Sequence, residues 1–269
     1  MSIEEFAYMH NGIIKANASQ NDIIYFSDQT LYQKINPPSQ QRALLCLHGF
    51  SSTPAVFRYL LPLLLKYDTI SIPILPGHGC SIQEFSTVTA KDWLFAVEAS
   101  YTKLDNTKQY QTIDVLGLSL GGVLASYLSQ RFLFNHLYLL APALDLQYNI
   151  HCWLVIARVL LRLGFVRIRN RAGNILTPDQ FELAYRQQSI HGIIEVFTLI
   201  LNYKQPADNI PTDIFLGRYD QLIDNQKILT RFKHSANTKI HWLEQSAHVL
   251  PLDNDYNMIA DIINITTDK

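Results

Sequence analysis

The chain has 269 residues, a length that suits one α/β domain carrying an insertion better than two separate domains. Hydrophobic residues make up 48% and charged residues 17%, enough apolar material for a large core, and a formal net charge of -1 leaves no electrostatic footprint for nucleic acid. Three widely spaced cysteines, Cys46, Cys80 and Cys152, exclude a disulfide framework and a CxxC metal site, and read as reduced thiols, at least two of them buried.

In chain order, the turn-rich segment Asn36-Pro37-Pro38-Ser39 leads into a first firm strand at Ala43–Leu47. A loop from His48 to Thr53 follows, and Pro54 suits the first turn of a helix running to about Lys66. Thr69–Ile74 reads as a strand. Ala90–Lys103 reads as a helix with Trp93, Leu94, Val97 and Tyr101 on one face. Then come a buried strand at Thr112–Leu118, a helix at Ser119–Gln130 and a strand at His136–Leu140. Thr212–Gly217 and Lys239–Leu243 are later strands with a helix around Gln226–Lys233 between them, and a last helix covers Asp255–Ile263. This alternation predicts an α/β fold with a mostly parallel central sheet and helices on both faces.

Residues 144–205 break the rhythm. They contain no convincing strand and read as helices at about 149–163, 178–188 and 191–203. The expected organisation is a core of residues 1–143 and 206–269 with a helical cap, 144–205, over the carboxyl ends of the strands. The most apolar run in the cap, Trp153 to Leu163, is interrupted by Arg158 and Arg162. It falls short of the ~18–20 apolar residues that span a bilayer. Met1 to Gly12 lacks the apolar core of a signal peptide, so a cytoplasmic protein with no integral membrane segment is expected.

The sharpest motif is Gly117-Leu118-Ser119-Leu120-Gly121-Gly122, a G-x-S-x-G between a buried strand and a helix. The turn is so tight that side chains two residues before and after the serine would collide with neighbouring elements. Gly117 and Gly121 remove them, and Ser119 is driven into an uncommon backbone conformation that exposes its hydroxyl. A serine hydroxyl needs a base. Of six downstream histidines, His248 sits in a loop between a strand and the last helix, whereas His241 lies inside a strand, and His136, His151, His191 and His234 read as surface, cap or core residues. Asp220 follows a strand end and suits the acid that orients His248. The rival Asp224 reads better as a helix N-cap. The backbone N–H groups of Leu120 and Phe50 are the candidate oxyanion donors, with Gly49 allowing close approach. His48 reads as a residue that ties its loop down. Leu75-Pro76-Gly77-His78-Gly79 reads as a turn at the site rim, and His78 has no second ligand at metal spacing.

Four motifs in this order, Leu47-His48-Gly49-Phe50, Leu75-Pro76-Gly77-His78-Gly79, the Ser119 elbow and Ser246-Ala247-His248-Val249-Leu250, resemble bacterial carboxylesterases and monoacylglycerol lipases of the α/β-hydrolase superfamily. The resemblance implies about eight core strands, a cap after the sixth, no cofactor and no metal. It assigns Ser119, Asp220 and His248 to a catalytic triad and Phe50 and Leu120 to an oxyanion hole. The implied activity is hydrolysis of aliphatic carboxylic esters, monoacylglycerols among them, through an acyl-enzyme. The same residues would equally serve a lysophospholipase, thioesterase, amidase or carbon–carbon hydrolase, and a non-catalytic binding module of this fold is the alternative from another class. The expected partner is a small ester or lipid. Gly49, Trp153, Ile156, Phe197 and Val249 are the expected pocket residues. The arginines at 158, 162, 167, 169 and 171 read as a solvated face or as a weak contact with anionic lipid.

Overall fold

The computed structural model describes residues 3–32, 41–202 and 205–267; the segment Asn36–Ser39 read above as turn-rich lies outside them. The chain opens with strands β1 (Phe6–His10), β2 (Ile13–Asn17) and β3 (Gln29–Tyr32), then β4 (Arg42–Leu47) and β5 (Thr69–Ile72). Helices α1 (Ile82–Phe85) and α2 (Ala90–Asn106) precede β6 (Thr112–Leu118), α3 (Leu120–Ser129) and β7 (His136–Leu140). Next are α4 (Ile150–Arg162), β8 (Arg167–Arg169), β9 (Glu182–Tyr185), β10 (Gln187–Ser189) and α5 (Ile190–Asn202). The chain closes with β11 (Thr212–Gly217), α6 (Asn225–Phe232), β12 (Thr238–Leu243) and α7 (Tyr256–Thr266).

The central sheet has the order β12-β11-β7-β6-β4-β5-β3, parallel except for β3. Among the described residues it has seven strands, against the eight the resemblance implies, and the long insertion falls after its fifth strand in sequence. Every residue of β4, β7 and β11 is buried. Neighbouring residues of a strand point to opposite faces, so both faces of the sheet are covered. In α2, Trp93, Val97 and Tyr101 form the buried stripe, with Leu94 partly buried beside it.

Four expectations need correction. The helix expected over 54–66 is instead two 3-10 turns, Pro54–Phe57 and Leu61–Leu63, whose N–H groups reach back three residues rather than four. Pro62, inside the second turn, has no N–H to continue an α-helix. Likewise β5 stops at Ile72, before Pro73. The helix expected over 178–188 is two strands, β9 and β10, and β8 is a third strand in a segment read as wholly helical. Strand β9 is stabilised from far away in sequence: it pairs with β1, which pairs with β2, forming a three-stranded antiparallel sheet. Finally, only Cys46 of the three cysteines is buried; Cys152 lies on the exposed side of α4.

Candidate active site

The strand–turn–helix at β6–α3 puts Ser119 at φ 54°, ψ -112°, a backbone conformation that L residues avoid. The steric need for glycine on both sides is visible in the distances. A Cβ at position 117 would lie 2.2 Å from the Gly121 carbonyl oxygen, and one at position 121 would lie 2.0 Å from that of Leu47. The strained turn persists because β4, β6 and α3 press together there.

Ser119 Oγ lies 3.0 Å from His248 Nε2, and His248 Nδ1 lies 2.8 Å from Asp220 Oδ2. The three side chains come from three places, the β6–α3 turn, the loop after β11 and the loop after β12. Because β11 pairs in parallel with β12, both loops leave the sheet at the same end. The second oxygen of Asp220 accepts the N–H groups of Leu222 and Ile223 at 2.7 and 2.9 Å, which fixes the carboxylate. Asp224, by contrast, caps α6 by accepting the Lys227 N–H. Burial on its own would lower the pKa of His248. The charge and hydrogen bond of Asp220, and then the charge of Glu182, more than offset it, so the imidazole titrates above its usual range.

The backbone N–H groups of Phe50 and Leu120 donate to no acceptor among the described residues. Leu120 opens α3, where N–H groups have no partner within the helix. The loop carrying Phe50 passes close by, since a Cβ on Gly49 would lie 3.6 Å from that of Ser119. Two buried histidines lock this loop to its neighbour. The Leu75 N–H donates to His48 Nε2 (3.1 Å) and the Ser51 N–H donates to His78 Nε2 (3.0 Å). Their second nitrogens face the carbonyls of Gly49 and Pro76. Burial pushes His48 down to about 4 and His78 well below its usual value, so both are neutral crosslinks. His136 and His241 are likewise structural: both bind Asp213.

A cavity of about 530 Å³ opens beside Ser119 and His248. Gly49, Trp153, Ile156, Phe197 and Val249, the five expected pocket residues, all line it. Its lining includes the apolar Leu146, Trp153, Ile193 and Phe197 and the polar Asn170, Glu182 and Gln188. Sequence reasoning missed these polar lining residues. Glu182 belongs to the misread 178–188 segment; it is largely buried and accepts the Gly173 N–H at 2.7 Å. Burial raises the pKa of its carboxyl, and the nearby His248 partly opposes the rise. Asn170, fully buried, joins Ser51 to Gln188. Asn174 accepts the N–H groups of both His248 and Val249 through its carbonyl and so holds the histidine loop. No group of three or more side chains suited to a metal ion occurs among the described residues.

The sequence profile of the alpha/beta hydrolase family matches residues 44–261. The chain belongs to that family. Over 224 residues, 81% of this chain and 87% of the relative, the hydrolase is 30% identical to a thermostable monoacylglycerol lipase of Bacillus sp. (strain H-257). It is 24% identical over 227 residues, 81% of its own length and 89% of the other's, to a carboxylesterase of Bacillus subtilis (strain 168). Its fold is shared with a soluble variant of monoglyceride lipase from Saccharomyces cerevisiae solved with a substrate analog. There the TM-score is 0.73 at 17% identity, with 90% of each chain covered. These relatives put the hydrolase on the esterase and lipase side of its family.

Proposed function

We propose that this hydrolase is a serine carboxylesterase that cleaves aliphatic esters, monoacylglycerols among them, through an acyl-enzyme. The observation that carries the reading is the unbroken chain from Ser119 Oγ through both nitrogens of His248 to Asp220, at the wall of an apolar cavity. In this reading His248 removes the Ser119 proton as the hydroxyl attacks the ester carbonyl. The N–H groups of Phe50 and Leu120 receive the oxyanion, each worth about 3–4 kcal/mol in the transition state. Asp220 keeps the proton on Nδ1, so Nε2 is free to act, and stabilises the imidazolium. His248 then protonates the leaving alcohol and activates the water that releases the acid.

The mixed apolar and polar lining of the cavity supports the substrate class. An aliphatic acyl chain suits the apolar side chains of Leu146, Ile193 and Phe197, and an alcohol with free hydroxyls suits Asn170, Glu182 and Gln188. A monoacylglycerol has this division, in keeping with the name of the Bacillus relative. Residues 144–205 act as the cap that closes the cavity from above.

The test is hydrolysis of p-nitrophenyl esters from acetate to palmitate, and of monoacylglycerols, by the wild type and by Ser119→Ala. Turnover should peak at one acyl length and fall by about 10⁴-fold or more in the variant. A folded wild type inactive on every ester would redirect the reading to amides, thioesters or carbon–carbon bonds. Full activity in Ser119→Ala would remove Ser119 from the role of nucleophile.

A further inference from the structure

Between β8 and β9 the chain runs without helix or strand, so no ladder fixes its backbone there. Asn174 sits in the middle of this stretch and is buried. It bonds to both of the loops that carry the partners of Ser119. Its backbone carbonyl accepts the N–H groups of His248 and Val249 at 3.0 and 3.1 Å. Its side-chain Oδ1 accepts the N–H of Gln221, the residue after Asp220, at 3.2 Å. That partner settles which way the amide points, since a backbone N–H can only donate.

What fixes Asn174 comes from the other end of the chain. Strands β1 and β2 are joined by Asn11 and Gly12, at φ 48° and 74°, the left-handed pair that closes a two-residue hairpin with the twist of its strands. The tip of this hairpin lies on the stretch around Asn174. The Asn11 N–H donates to the Gly173 carbonyl at 2.5 Å and the Gly12 N–H to the Ala172 carbonyl at 2.9 Å. The Asn11 side chain takes both backbone groups of Ile175: Oδ1 accepts its N–H at 3.3 Å and Nδ2 donates to its carbonyl at 3.1 Å. Asn174 Nδ2 reaches the same Oδ1 at 3.5 Å. Gly173, at φ 77°, permits the approach, because a Cβ there would lie 2.2 Å from the Met9 carbonyl oxygen. Bonds on residues 172, 173 and 175 therefore bracket Asn174, and they come from a hairpin that supplies no residue to the cavity lining. Asp220 and His248 stand on separate loops, so their alignment depends on how those loops lie against each other. A misplacement of about 1 Å in such a relay costs on the order of a hundredfold in rate.

We propose that Asn174 is a positioning residue that holds the acid and base loops in register, and that the N-terminal hairpin acts on the site through Asn11 by holding Asn174. Only the rate measurements rest on the esterase reading. The full chain is compared with three variants. Asn174→Leu removes the accepting oxygen. Asn11→Gly removes a side chain outside the cavity and keeps the turn, because glycine accepts positive φ. Asp213→Asn is a destabilised control at the amino-terminal end of β11, away from both loops. Glu182, the other carboxylate that acts on His248, stays in place throughout. Three quantities are read: kcat and KM on p-nitrophenyl butyrate, the acid limb of the pH profile, and the downfield proton NMR signal of the His248 Nδ1–H shared with Asp220. The expected kcat is lower by about tenfold or more in Asn174→Leu. In Asn11→Gly it is lower by about fivefold, with KM unchanged. In both, the acid limb moves down, because a loosened Asp220 holds the His248 proton less firmly, and the proton signal moves upfield and exchanges faster with water. Asp213→Asn should lose stability and keep all three quantities. Either loop variant with the wild-type kcat, limb and proton signal overturns the proposal, even if it is less stable. So does an Asn11→Gly that changes KM alone. A wild type that shows the proton signal but turns over no ester would sink the esterase reading; the signal in the variants then decides the positioning role, upheld if it moves and overturned if it does not.

Discussion

His248 carries two opposing influences whose balance sets how the site responds to pH. Its burial favours the neutral ring, while Asp220 and Glu182 favour the charged one, and the carboxylates win. A base must be neutral to accept the Ser119 proton, so kcat/KM falls as pH drops through the histidine pKa. That acid limb is expected above the ordinary value of 6.5. Glu182→Gln removes one of the two negative charges and should move the limb downward. A pH profile of kcat/KM for both proteins measures it; an unmoved limb would mean that the Glu182 carboxyl is uncharged in the working site. At this scale the sequence was informative where chemistry is local. Ser119, His248 and Asp220 each sit in a short motif or just past a strand end, and the rivals Asp224 and His241 carried legible signs of a cap and a strand. Glu182 and Asn170 carried none, because their burial depends on residues far along the chain.

At the scale of elements, the elbow depends on how closely α3 approaches β4. In Gly121→Ala the new methyl would meet the Leu47 carbonyl oxygen at 2.0 Å, and backbone on both sides leaves no side chain to swing away. Urea unfolding should show a loss of about 2 kcal/mol or more, with activity falling alongside because Ser119 moves with the turn. A variant with the wild-type midpoint would contradict this account of the glycine. Asp253 makes a different junction. Its carboxylate accepts the N–H groups of Leu176, Thr177 and Ala247 at 2.9, 3.0 and 2.7 Å, so it fastens the inserted segment to the loop of His248. Asp253→Ala strands these donors, and a destabilisation of about 2–4 kcal/mol by the same method is expected. A wild-type denaturation curve would show the junction to be dispensable. Elements with a strong period of their own, such as α2, α4 and α5, were readable in the sequence. The stretch 178–188 was not, since its four buried residues in β9 show neither alternation nor a helical stripe, and its pairing with β1 decides its state.

Across the whole molecule, one buried cluster ties three strands of the sheet. Asp213 of β11 binds His136 of β7 at 2.7 Å and His241 of β12 at 2.5 Å. Burial would raise the pKa of this carboxyl, but the two histidines outweigh it and hold it well below its ordinary 3.8. A depressed carboxylate contributes stability that is present above the unfolded value and lost as pH falls from there toward the folded one. Urea unfolding free energies should therefore fall off below about pH 4 in the wild type. In Asp213→Asn they should be lower at neutral pH, by about 3 kcal/mol, with a shallower acid slope. Equal slopes would remove Asp213 from the acid sensitivity. The sheet itself was legible as alternating strands and helices, but the strand order and the union of the N-terminal hairpin with the inserted segment were not. Pairing partners so far apart leave no trace in a local pattern.

That union has a consequence in time. Strand β1 begins at Phe6 and its partner β9 ends at Tyr185. On a ribosome adding about 5–20 residues per second, β1 waits roughly ten to forty seconds for the edge it is meant to join. Through that interval Phe6 and Met9, both buried in the finished fold, face solvent or a temporary shelter. Assembly of the small sheet is therefore a late event, and while β9 is still unmade β1 is open to mispairing or capture by a chaperone.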